Sequence, residues 1–520
     1  MSDDAAQPSG RRGGRAGRAG RNASGGPVEQ KPFRQPRLRF PPTQIVSTDE
    51  LEAIHDASLR VLEEIGMDIL NEEARDIFVA AGATLEPGTI RIRIDRAIVL
   101  AAIATCPAQF TLHARNPAHD IEVGGDWVAF SLMGSAPNSN DRDRGRRPGS
   151  RADFQDFIKL GQSFNIVHTM AGYPVEPVDL HASIRHLDCL SDMVRLSDKS
   201  FHAYSLGRAR IRDGIEITRI ARGISAEQFA REPSLTTVIN SSSPLRLDDP
   251  MCNGIIEMAR VGQPIIMTPF TLAGAMAPVT IVGALAQQNA EALMGIALSQ
   301  LVNPGAPVIY GGFTSNVDMK SGAPAFGTPE YMKAAIVGGQ LARRYNLPYR
   351  TSAVCAANTV DAQAAYETVF SLWGAIMGGG NFIKHAAGWM EGGLSCSFEK
   401  MILDVDLLQM VAEFLLPLTI DEDSLALDAM REVGPGGHFF GAAHTKARYR
   451  DAFYAPIISD WRNFEAWQEA GSPTAMDKAN RLYKEVLAAY TPPPLDATID
   501  AELTDFVERR RSEGGMKTDF

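Results

Sequence analysis

Pro264-Ile-Ile-Met-Thr268 opens the stretch of sequence that decides the fold. It is followed by a long apolar pattern at residues 281–301, IVGALAQQNAEALMGIALSQL, and then by a second short run, Pro307-Val-Ile-Tyr-Gly311. Short apolar runs bounded by turn residues are typical of strands that are buried on both faces, and the longer pattern has the length of a helix. The stretch therefore predicts a strand, a crossover helix and a second strand parallel to the first.

The same unit recurs from residue 127 onward, so that every predicted strand is followed by one helix. Eight strands are predicted, at residues 127–131, 166–171, 201–205, 236–240, 264–268, 307–311, 349–353 and 382–386. Right-handed crossovers keep successive strands parallel, and eight such units are the number that closes a barrel. The predicted fold class is therefore α/β, a (β/α)8 TIM-type barrel. An open doubly wound sheet stays the alternative, because closure cannot be inferred from the rhythm.

The remaining sequence divides into three further parts. Residues 1–35 contain Arg-Gly-Ala repeats that cannot bury apolar surface, so they predict a disordered basic tail. Residues 36–125 mix helix and strand patterns and predict an N-terminal α+β extension, which precedes the barrel at residues 126–418. Residues 419–520 contain loop and helix patterns and predict a C-terminal helical extension that wraps the barrel.

Composition excludes several classes of protein. The chain has 520 residues, of which 45% are hydrophobic and 22% charged, which is typical of a globular enzyme with one large core. It has no apolar run near the roughly 18 residues of a membrane helix, so we expect a cytoplasmic protein without a membrane partner. Its net charge of -11 disfavours a nucleic-acid partner. Its five cysteines are scattered without a zinc-binding spacing, so no metal site is predicted.

Aromatic side chains recur at the ends of the predicted strands, where the reactive residues of such barrels lie. The candidate substrate-binding aromatics are Tyr204, Phe270, Tyr310, Phe313 and Trp389. Aromatic faces attract a quaternary ammonium ion, whereas an anionic substrate would call for lysines and arginines, which are scarce in these loops. The alternative for each ring is simple packing in the barrel core.

Several longer strings resemble the trimethylamine methyltransferase family. They are Tyr310-Gly-Gly-Phe-Thr-Ser-Asn-Val-Asp-Met-Lys-Ser-Gly322, Gly327-Thr-Pro-Glu330, Asp361-Ala-Gln-Ala-Ala-Tyr-Glu367, Trp389-Met-Glu-Gly-Gly-Leu394 with Ser397-Phe-Glu-Lys-Met-Ile-Leu-Asp404, and Gly436-Gly-His-Phe-Phe440 with His444-Thr445. The resemblance implies a barrel enzyme that moves a methyl group from a methylated amine to the cobalt of a corrinoid protein. Because the chain lacks the Asp-x-His-x-x-Gly sequence of corrinoid-binding modules, we expect the corrinoid on a partner protein and no cofactor bound by this chain.

The sequence departs from the archaeal members of that family, which carry pyrrolysine. We expect its substitute in residues 352–358, at the end of the seventh strand. Members without pyrrolysine include enzymes that demethylate quaternary amines such as glycine betaine. A fully alkylated nitrogen is already an activated methyl donor, so the resemblance favours such a substrate over trimethylamine.

The resemblance also implies roles for three polar residues. Asn240, the serines beside it and His385 are expected to orient a substrate carboxylate, and Glu391 to stabilise the cation. Glu391 and His385 are therefore the candidate catalytic residues. The alternative for Glu391 is a structural carboxylate that caps loop amides.

Two other functions stay open. A barrel lyase or aldolase would use a lysine at a strand end, and Lys384 is the candidate within the predicted strands. A non-catalytic protein that binds quaternary amines would need only the aromatic residues. Large barrels commonly associate through their outer helices, so a homo-oligomer is expected.

Overall fold

The N-terminal boundary of the folded body lies earlier than the sequence predicts. The computed structural model describes residues 27–515; residues 1–26, which contain most of the predicted basic tail, and residues 516–520 lie outside the described residues. Val28 is buried, and the Gln30 side chain donates to the Ser163 carbonyl at 2.8 Å and accepts from the Asn165 amide at 2.9 Å. Residues 27–35 therefore pack on the body, because Val28 and Phe33 supply apolar surface that the Arg-Gly-Ala repeats lack.

The segment before the barrel alternates short helices and strands. Its elements are α1 (Thr48–Arg60), a π-helical turn (Val61–Ile65), β1 (Met67–Ile69), α2 (Glu72–Ala80), β2 (Thr84–Leu85), β3 (Arg91–Arg93), α3 (Arg96–Ile103), β4 (Gln109–Leu112), a 3-10 turn (Pro117–His119) and β5 (Ile121–Gly124). Helix α1 begins at a capping box, in which the Ser47 side chain accepts from the Glu50 amide and the Glu50 carboxylate accepts from the Ser47 amide at 2.8 Å. The capping box fixes where the chain turns onto the body.

The central region repeats the strand-then-helix unit. Its elements are β6 (Ala129–Leu132), β7 (Asn138–Asp141), β8 (Gly145–Pro148), α4 (Arg151–Ser163), α5 (Arg185–Leu196), β9 (Phe201–His202), α6 (Arg208–Arg222), α7 (Ala226–Phe229), β10 (Leu235–Ile239), β11 (Arg246–Leu247), α8 (Asp249–Arg260), β12 (Ile265–Met267), β13 (Leu272–Ala273), α9 (Ile281–Val302), β14 (Val308–Gly311), β15 (Ser315–Val317), β16 (Pro324–Ala325), α10 (Pro329–Arg344), β17 (Tyr349–Ser352), α11 (Ala362–Met377), β18 (Phe382–Ala387), β19 (Trp389–Met390), a 3-10 turn (Glu391–Gly393), β20 (Ser395–Ser397) and α12 (Phe398–Phe414).

Seven of these strands form one parallel sheet, in the order β6-β18-β17-β14-β12-β10-β9. The register pairs Ile265 of β12 with Val308 of β14, and Ser352 of β17 with Lys384 of β18. Each of the seven lies where a strand was predicted, because the apolar runs and the helices between them set both length and direction. The short remaining strands form smaller sheets at the ends of this sheet.

The predicted second strand, residues 166–171, is not a regular strand. It contacts both edges of the seven-stranded sheet through Thr169, which forms parallel bridges to Ser131 and to Ser200. The His168 amide donates to the Phe130 carbonyl at 2.9 Å, and the Met170 amide donates to the Ser200 carbonyl at 2.9 Å. Because pairing on each side is confined to one residue, the segment connects the two edge strands without forming a ladder. The result is the arrangement of a TIM-like barrel.

Side-chain alternation decides what each strand places inside the barrel. In β14, Ile309 packs in the interior with Ile266 and Phe382. The next residue, Tyr310, points outward to α9, where its hydroxyl donates to Asn289 Oδ1 at 2.8 Å. The inward positions of neighbouring strands therefore meet one another, and the outward positions meet the helices.

The two mouths of the barrel differ. Leu112, Ile121 and Val123 of the β4–β5 hairpin pack with Ala129 and Phe382, the first residues of β6 and β18. The hairpin therefore closes the N-terminal mouth with apolar side chains. The C-terminal mouth is not filled in this way, and the ends of the strands there surround a cavity.

The C-terminal region packs on the barrel helices. Its elements are α13 (Glu422–Leu425), α14 (Leu427–Val433), a 3-10 turn (Phe439–Gly441), α15 (Ala443–Arg448), α16 (Phe464–Glu469), α17 (Ala475–Ala489) and α18 (Ala497–Ser512). Helix α17 lies against α4 and α12, and α18 lies against α5 and α6. Among residues 27–515, no helix combines the length and the apolar composition needed to cross a membrane.

The imidazole of His168 is buried where the sheet edges meet, and it makes stability depend on pH. Its Nδ1 accepts from the Phe130 amide at 3.0 Å, and its Nε2–H donates to the Arg34 carbonyl at 3.1 Å. Acceptance at Nδ1 requires the neutral ring, because a protonated imidazole has no free lone pair. Burial lowers the pKa of His168 to about 3. Below the ordinary pKa of roughly 6.5 the unfolded chain binds a proton that the folded chain refuses, so stability falls as pH falls from 6.5 towards 3.

We expect His168→Gln, which preserves a donor and an acceptor but does not titrate, to flatten this dependence. The fall in melting temperature between pH 6.5 and 5 should be smaller in the variant than in the parent protein, by differential scanning calorimetry. The matched control is His181→Gln, because His181 is exposed. Equal pH dependence in the parent protein and His168→Gln would contradict this account.

Candidate active site

The C-terminal ends of the parallel strands surround a cavity of about 430 Å³. Its wall includes Gly134, Ser135, His202, Tyr204, Val238, Asn240, Thr268, Phe270, Phe313, Arg350, Lys384, His385 and Trp389. Leu206, Asn240 and Leu394 also line the cavity and are exposed, so they form its rim. A cavity at this end of a parallel barrel is the expected place for chemistry, and its volume suits a small molecule.

Aromatic rings cluster on one side of the cavity around Phe313. The centroid of its ring lies 5.1 Å from that of Phe270 and 6.0 Å from that of Trp389. The Trp389 indole is fixed by Cys355: Trp389 Nε1 donates to the Cys355 carbonyl at 2.9 Å, and the Cys355 thiol donates to the Trp389 carbonyl at 3.1 Å. The rings therefore form an apolar wall on this side of the cavity.

Tyr204 stands on another side of the cavity. Its hydroxyl lies 2.7 Å from Ser135 Oγ and accepts from the Tyr173 amide at 3.3 Å. Its ring meets the rings of Tyr173 and His202 edge-on, at 4.7 and 4.9 Å. The hydroxyl is thus held by the protein, and the ring is the part of Tyr204 that can contact a ligand.

Two cationic side chains enter the cavity from adjacent strands. Arg350 of β17 is 2% exposed, its Nε and Nη1 have no hydrogen-bond partner among the described residues, and its Cζ lies 5.0 Å from the Phe313 ring centroid. Lys384 of β18 is also 2% exposed, and its ammonium makes no hydrogen bond or ion pair within residues 27–515. Burial lowers the pKa of Arg350 to about 10, so the guanidinium stays protonated at neutral pH. Burial and the nearby Arg350 lower the pKa of Lys384 well below its usual value.

Two histidines complete this side of the cavity. His385 has a φ of 57°, and the pairing of β18 with β6 shifts register between Ile383 and Ala387. This left-handed residue interrupts the alternation, so Lys384 and His385 both face the cavity although they are consecutive. His385 Nδ1 accepts from the Gly134 amide at 3.2 Å, which places the ring proton of the neutral form on Nε2. Burial, followed by the charges of Arg350 and Lys384, lowers the pKa of His385 well below its usual value.

The described cavity wall contains no aspartate or glutamate. The side chains around Arg350 and Lys384 are aromatic, histidine or small. The cavity is therefore apolar apart from these basic side chains, its charge comes from the Arg350 guanidinium, and its wall offers no anionic group to pair with that charge.

The structure does not place Glu391 in the cavity, which corrects one predicted site residue. The carboxylate accepts from Arg146 Nε with both oxygens, at 3.0 and 2.8 Å. Glu391 has a φ of 53°, and this left-handed turn directs its side chain away from the Trp389 wall. The expected alternative, a carboxylate that caps loop amides, is also wrong, since the partner is an arginine of the β7–β8 hairpin.

Tyr310 was also wrongly expected at the cavity. It is fully buried between β14 and α9, with Gln288 Nε2 donating to its hydroxyl at 3.1 Å. Successive residues of a strand face opposite sides, so the inward position at the end of β14 is Gly311 and not Tyr310. A Cβ at Gly311 would lie 2.0 Å from Thr268 Oγ1.

The serines beside Asn240 and residues 355–357 have structural partners. Ser243 Oγ donates to Glu291 Oε2 at 2.6 Å, and Ser242 Oγ donates to Asp248 at 3.1 Å. The amides of residues 356 and 357 donate to Glu367 Oε2 at 2.8 and 3.1 Å. Residues 355–357 thus lie behind Trp389, whereas Ser352 is in register with Lys384 and its Oγ has no hydrogen-bond partner among the described residues.

Sequence reasoning missed Arg350 and His202, and treated Lys384 only as a lyase candidate. The signal was present, because a charged residue inside a buried parallel strand is rare. Applying the two-residue period to β17 and β18 would have placed Arg350 and Lys384 on the inner face. Within residues 27–515, no group of three or more His, Cys, Asp and Glu side chains is arranged to hold a metal ion.

The chain is similar to two methyltransferases along most of its length. The chain is 36% identical over 477 residues to the glycine betaine methyltransferase of Desulfitobacterium hafniense (strain Y51), covering 92% of this chain and 99% of that protein. It is 30% identical over 477 residues to the trimethylamine methyltransferase MttB of Desulfitobacterium hafniense (strain DSM 10664 / DCB-2), covering 90% and 94%. The solved hydroxylamine complex of MtmB aligns with a TM-score of 0.46 at 11% identity, covering 93% of this chain and 97% of that chain.

A family model confirms the resemblance that the sequence motifs indicated. The model described as trimethylamine methyltransferase (MTTB) matches residues 11–515, which is nearly the whole chain. On this match and on the two relatives, the chain belongs to the trimethylamine methyltransferase family.

Proposed function

We propose that this protein transfers a methyl group from a quaternary amine of the glycine betaine type to the cobalt of a corrinoid protein. The observation that carries the proposal is the cluster of Phe270, Phe313 and Trp389 in the cavity at the strand ends. Each desolvated contact between a quaternary ammonium and such a ring contributes on the order of 1 to 2 kcal/mol. The glycine betaine methyltransferase that shares 36% identity supports the choice of substrate.

The protonation state of the cavity supports a quaternary substrate over trimethylamine. Burial lowers the pKa of both His202 and His385 well below the usual value, so neither ring is a proton donor at neutral pH. A quaternary ammonium loses a methyl group as a neutral tertiary amine and needs no proton. Free trimethylamine would have to be activated first. The chain's own residues thus contribute alignment of the substrate and exclusion of water.

The size of the cavity supports a corrinoid carried by a partner protein. About 430 Å³ accommodates a small amine and is too small for a corrinoid macrocycle. When docked, the partner's cobalt supplies the nucleophile for the methyl carbon. Leu206 and Leu394 are exposed leucines at the rim, where an approaching protein would cover them.

Exposed apolar side chains support the proposed homo-oligomer. The chain between α12 and α16 exposes Leu418, Ile420, Phe440, Phe453 and Trp461, each by at least 72%. Large apolar side chains grouped in one region are typical of protein–protein interfaces. We propose that a second copy of the chain covers this region.

The function is tested by methyl transfer from glycine betaine, with trimethylamine in parallel, to a reduced corrinoid protein or free cob(I)alamin. We expect methylation from betaine, seen as the cobalt absorbance change. Phe313→Leu should lower kcat/KM about 5- to 30-fold, as the loss of one or two cation–π contacts implies. Tyr310→Phe is the matched control, and should leave kcat/KM unchanged because Tyr310 lies outside the cavity.

Two results would replace this function. Tight betaine binding without transfer to any corrinoid would indicate a non-catalytic binding protein. A borohydride-trapped adduct of a carbonyl compound at Lys384 would indicate a lyase or aldolase, a function that the lowered pKa of this buried lysine also permits.

A further inference from the structure

Arg350 and Lys384 differ from other buried basic side chains of the barrel because neither donates a side-chain hydrogen bond to an acceptor within residues 27–515. Lys199, for example, is 1% exposed and donates to the carbonyls of Gly161, Phe164 and Val167 at 2.8, 2.8 and 2.6 Å. Arg350 leaves Nε and Nη1 unpaired, and Lys384 has no hydrogen-bond partner within residues 27–515. A buried donor without an acceptor is destabilising, so an unpaired pair retained in a cavity points to a ligand that supplies the acceptor.

These cations also restrict which ammonium compounds can enter. A simple cation beside Phe313 would lie near the guanidinium, whose Cζ is 5.0 Å from that ring, without a carboxylate in the cavity wall to balance the charge. Repulsion between like charges is strong in a desolvated site. A ligand that carries its own negative charge avoids this repulsion.

We infer that Arg350 and Lys384 bind the carboxylate of the substrate and make the cavity selective for zwitterionic quaternary amines. The inference rests on the proposed function for the ammonium half of the substrate. Arg350 supplies a guanidinium that stays charged, and a carboxylate bound beside Lys384 favours the protonated form of that lysine. Guanidinium and ammonium groups on adjacent strands then recognise the carboxylate by charge-assisted hydrogen bonds.

The spacing favours a compact betaine. In glycine betaine a single methylene separates the ammonium from the carboxylate, so the two binding groups must lie side by side. They do: Arg350 stacks on Phe313, and Phe313 lies 5.1 Å from Phe270. Lys384 is on the same inner face, paired through its backbone with Ser352, two residues beyond Arg350. The anionic and cationic halves of such a ligand thus meet the cation pair and the aromatic wall together.

Without ligand, the unpaired guanidinium should weaken the fold. We expect Arg350→Met to raise the melting temperature of the ligand-free protein by about 1–3 °C, since it removes a buried group whose Nε and Nη1 have no partner. Lys199→Met is the matched control and should lower the melting temperature, because it removes three hydrogen bonds to buried carbonyls.

Ligand selectivity tests the inference directly. Isothermal titration calorimetry on the full chain, without a corrinoid, compares glycine betaine with its carboxamide, choline and tetramethylammonium. We expect the three plain cations to bind at least about 30-fold more weakly than betaine. Arg350→Gln and Lys384→Gln should each weaken betaine binding about 10- to 100-fold without weakening the carboxamide, and Arg350→Lys should recover part of the loss. Arg146→Gln, at the arginine that pairs with Glu391 and does not line the cavity, should preserve the preference.

Three results of the titrations would contradict carboxylate binding by Arg350 and Lys384. Equal affinity of the parent protein for betaine and its carboxamide overturns the inference, and so does equal weakening of both ligands in the Gln variants or no binding of betaine. If a variant fails to fold, the four ligands on the parent protein still decide. Binding preference without methyl transfer would overturn the proposed function and leave the carboxylate site standing. Methyl transfer from betaine and choline at equal rates would overturn the carboxylate site and leave the proposed methyltransferase function standing.

Discussion

In the parallel sheet at the centre of this protein, each strand presents only every second side chain to the interior, and the cavity depends on that constraint. It places Arg350 and Lys384 inside and Tyr349 and Tyr310 against the helices. The one interruption, the left-handed backbone at His385, brings a second consecutive side chain into the same wall. A shift of one residue in any of these strands would exchange a cation for an apolar side chain.

The rest of the body makes this arrangement rigid. The β4–β5 hairpin fills the opposite mouth with apolar side chains, and the outward residues of the strands pack on the helices. Cys355 and Trp389 exchange hydrogen bonds behind the aromatic wall. Side chains on strands, supported from behind, can hold unpaired charges in place, whereas mobile side chains would move to find partners. The cavity is thus organised for a ligand before the ligand arrives, at some expense of stability.

How far the sequence reached can be argued from particular residues. Apolar runs and the helices between them predicted seven strands of the sheet, because burial and crossover length leave few alternatives. They failed at residues 166–171, where pairing through Thr169 alone leaves no periodic signal. The positions of the aromatic residues after the predicted strands indicated Tyr204, Phe270, Phe313 and Trp389 as binding residues. All four line the cavity. Tyr310 and Glu391 failed because facing depends on register and on a left-handed residue, neither of which composition encodes.

The charge of the site was the larger omission. The scarcity of basic residues in the loops indicated a methyl-rich cationic substrate whose carboxylate, in a betaine, Asn240 and His385 were expected to orient, yet Arg350 and Lys384 lie within the strands of the cavity wall. A crystal structure of the protein with glycine betaine tests most directly whether Arg350 and Lys384 bind the substrate carboxylate. The account predicts the carboxylate within about 3 Å of Arg350 and Lys384, with the methyl groups against Phe313 and Trp389. A betaine whose carboxylate points to the rim, with its ammonium beside Arg350, would contradict it.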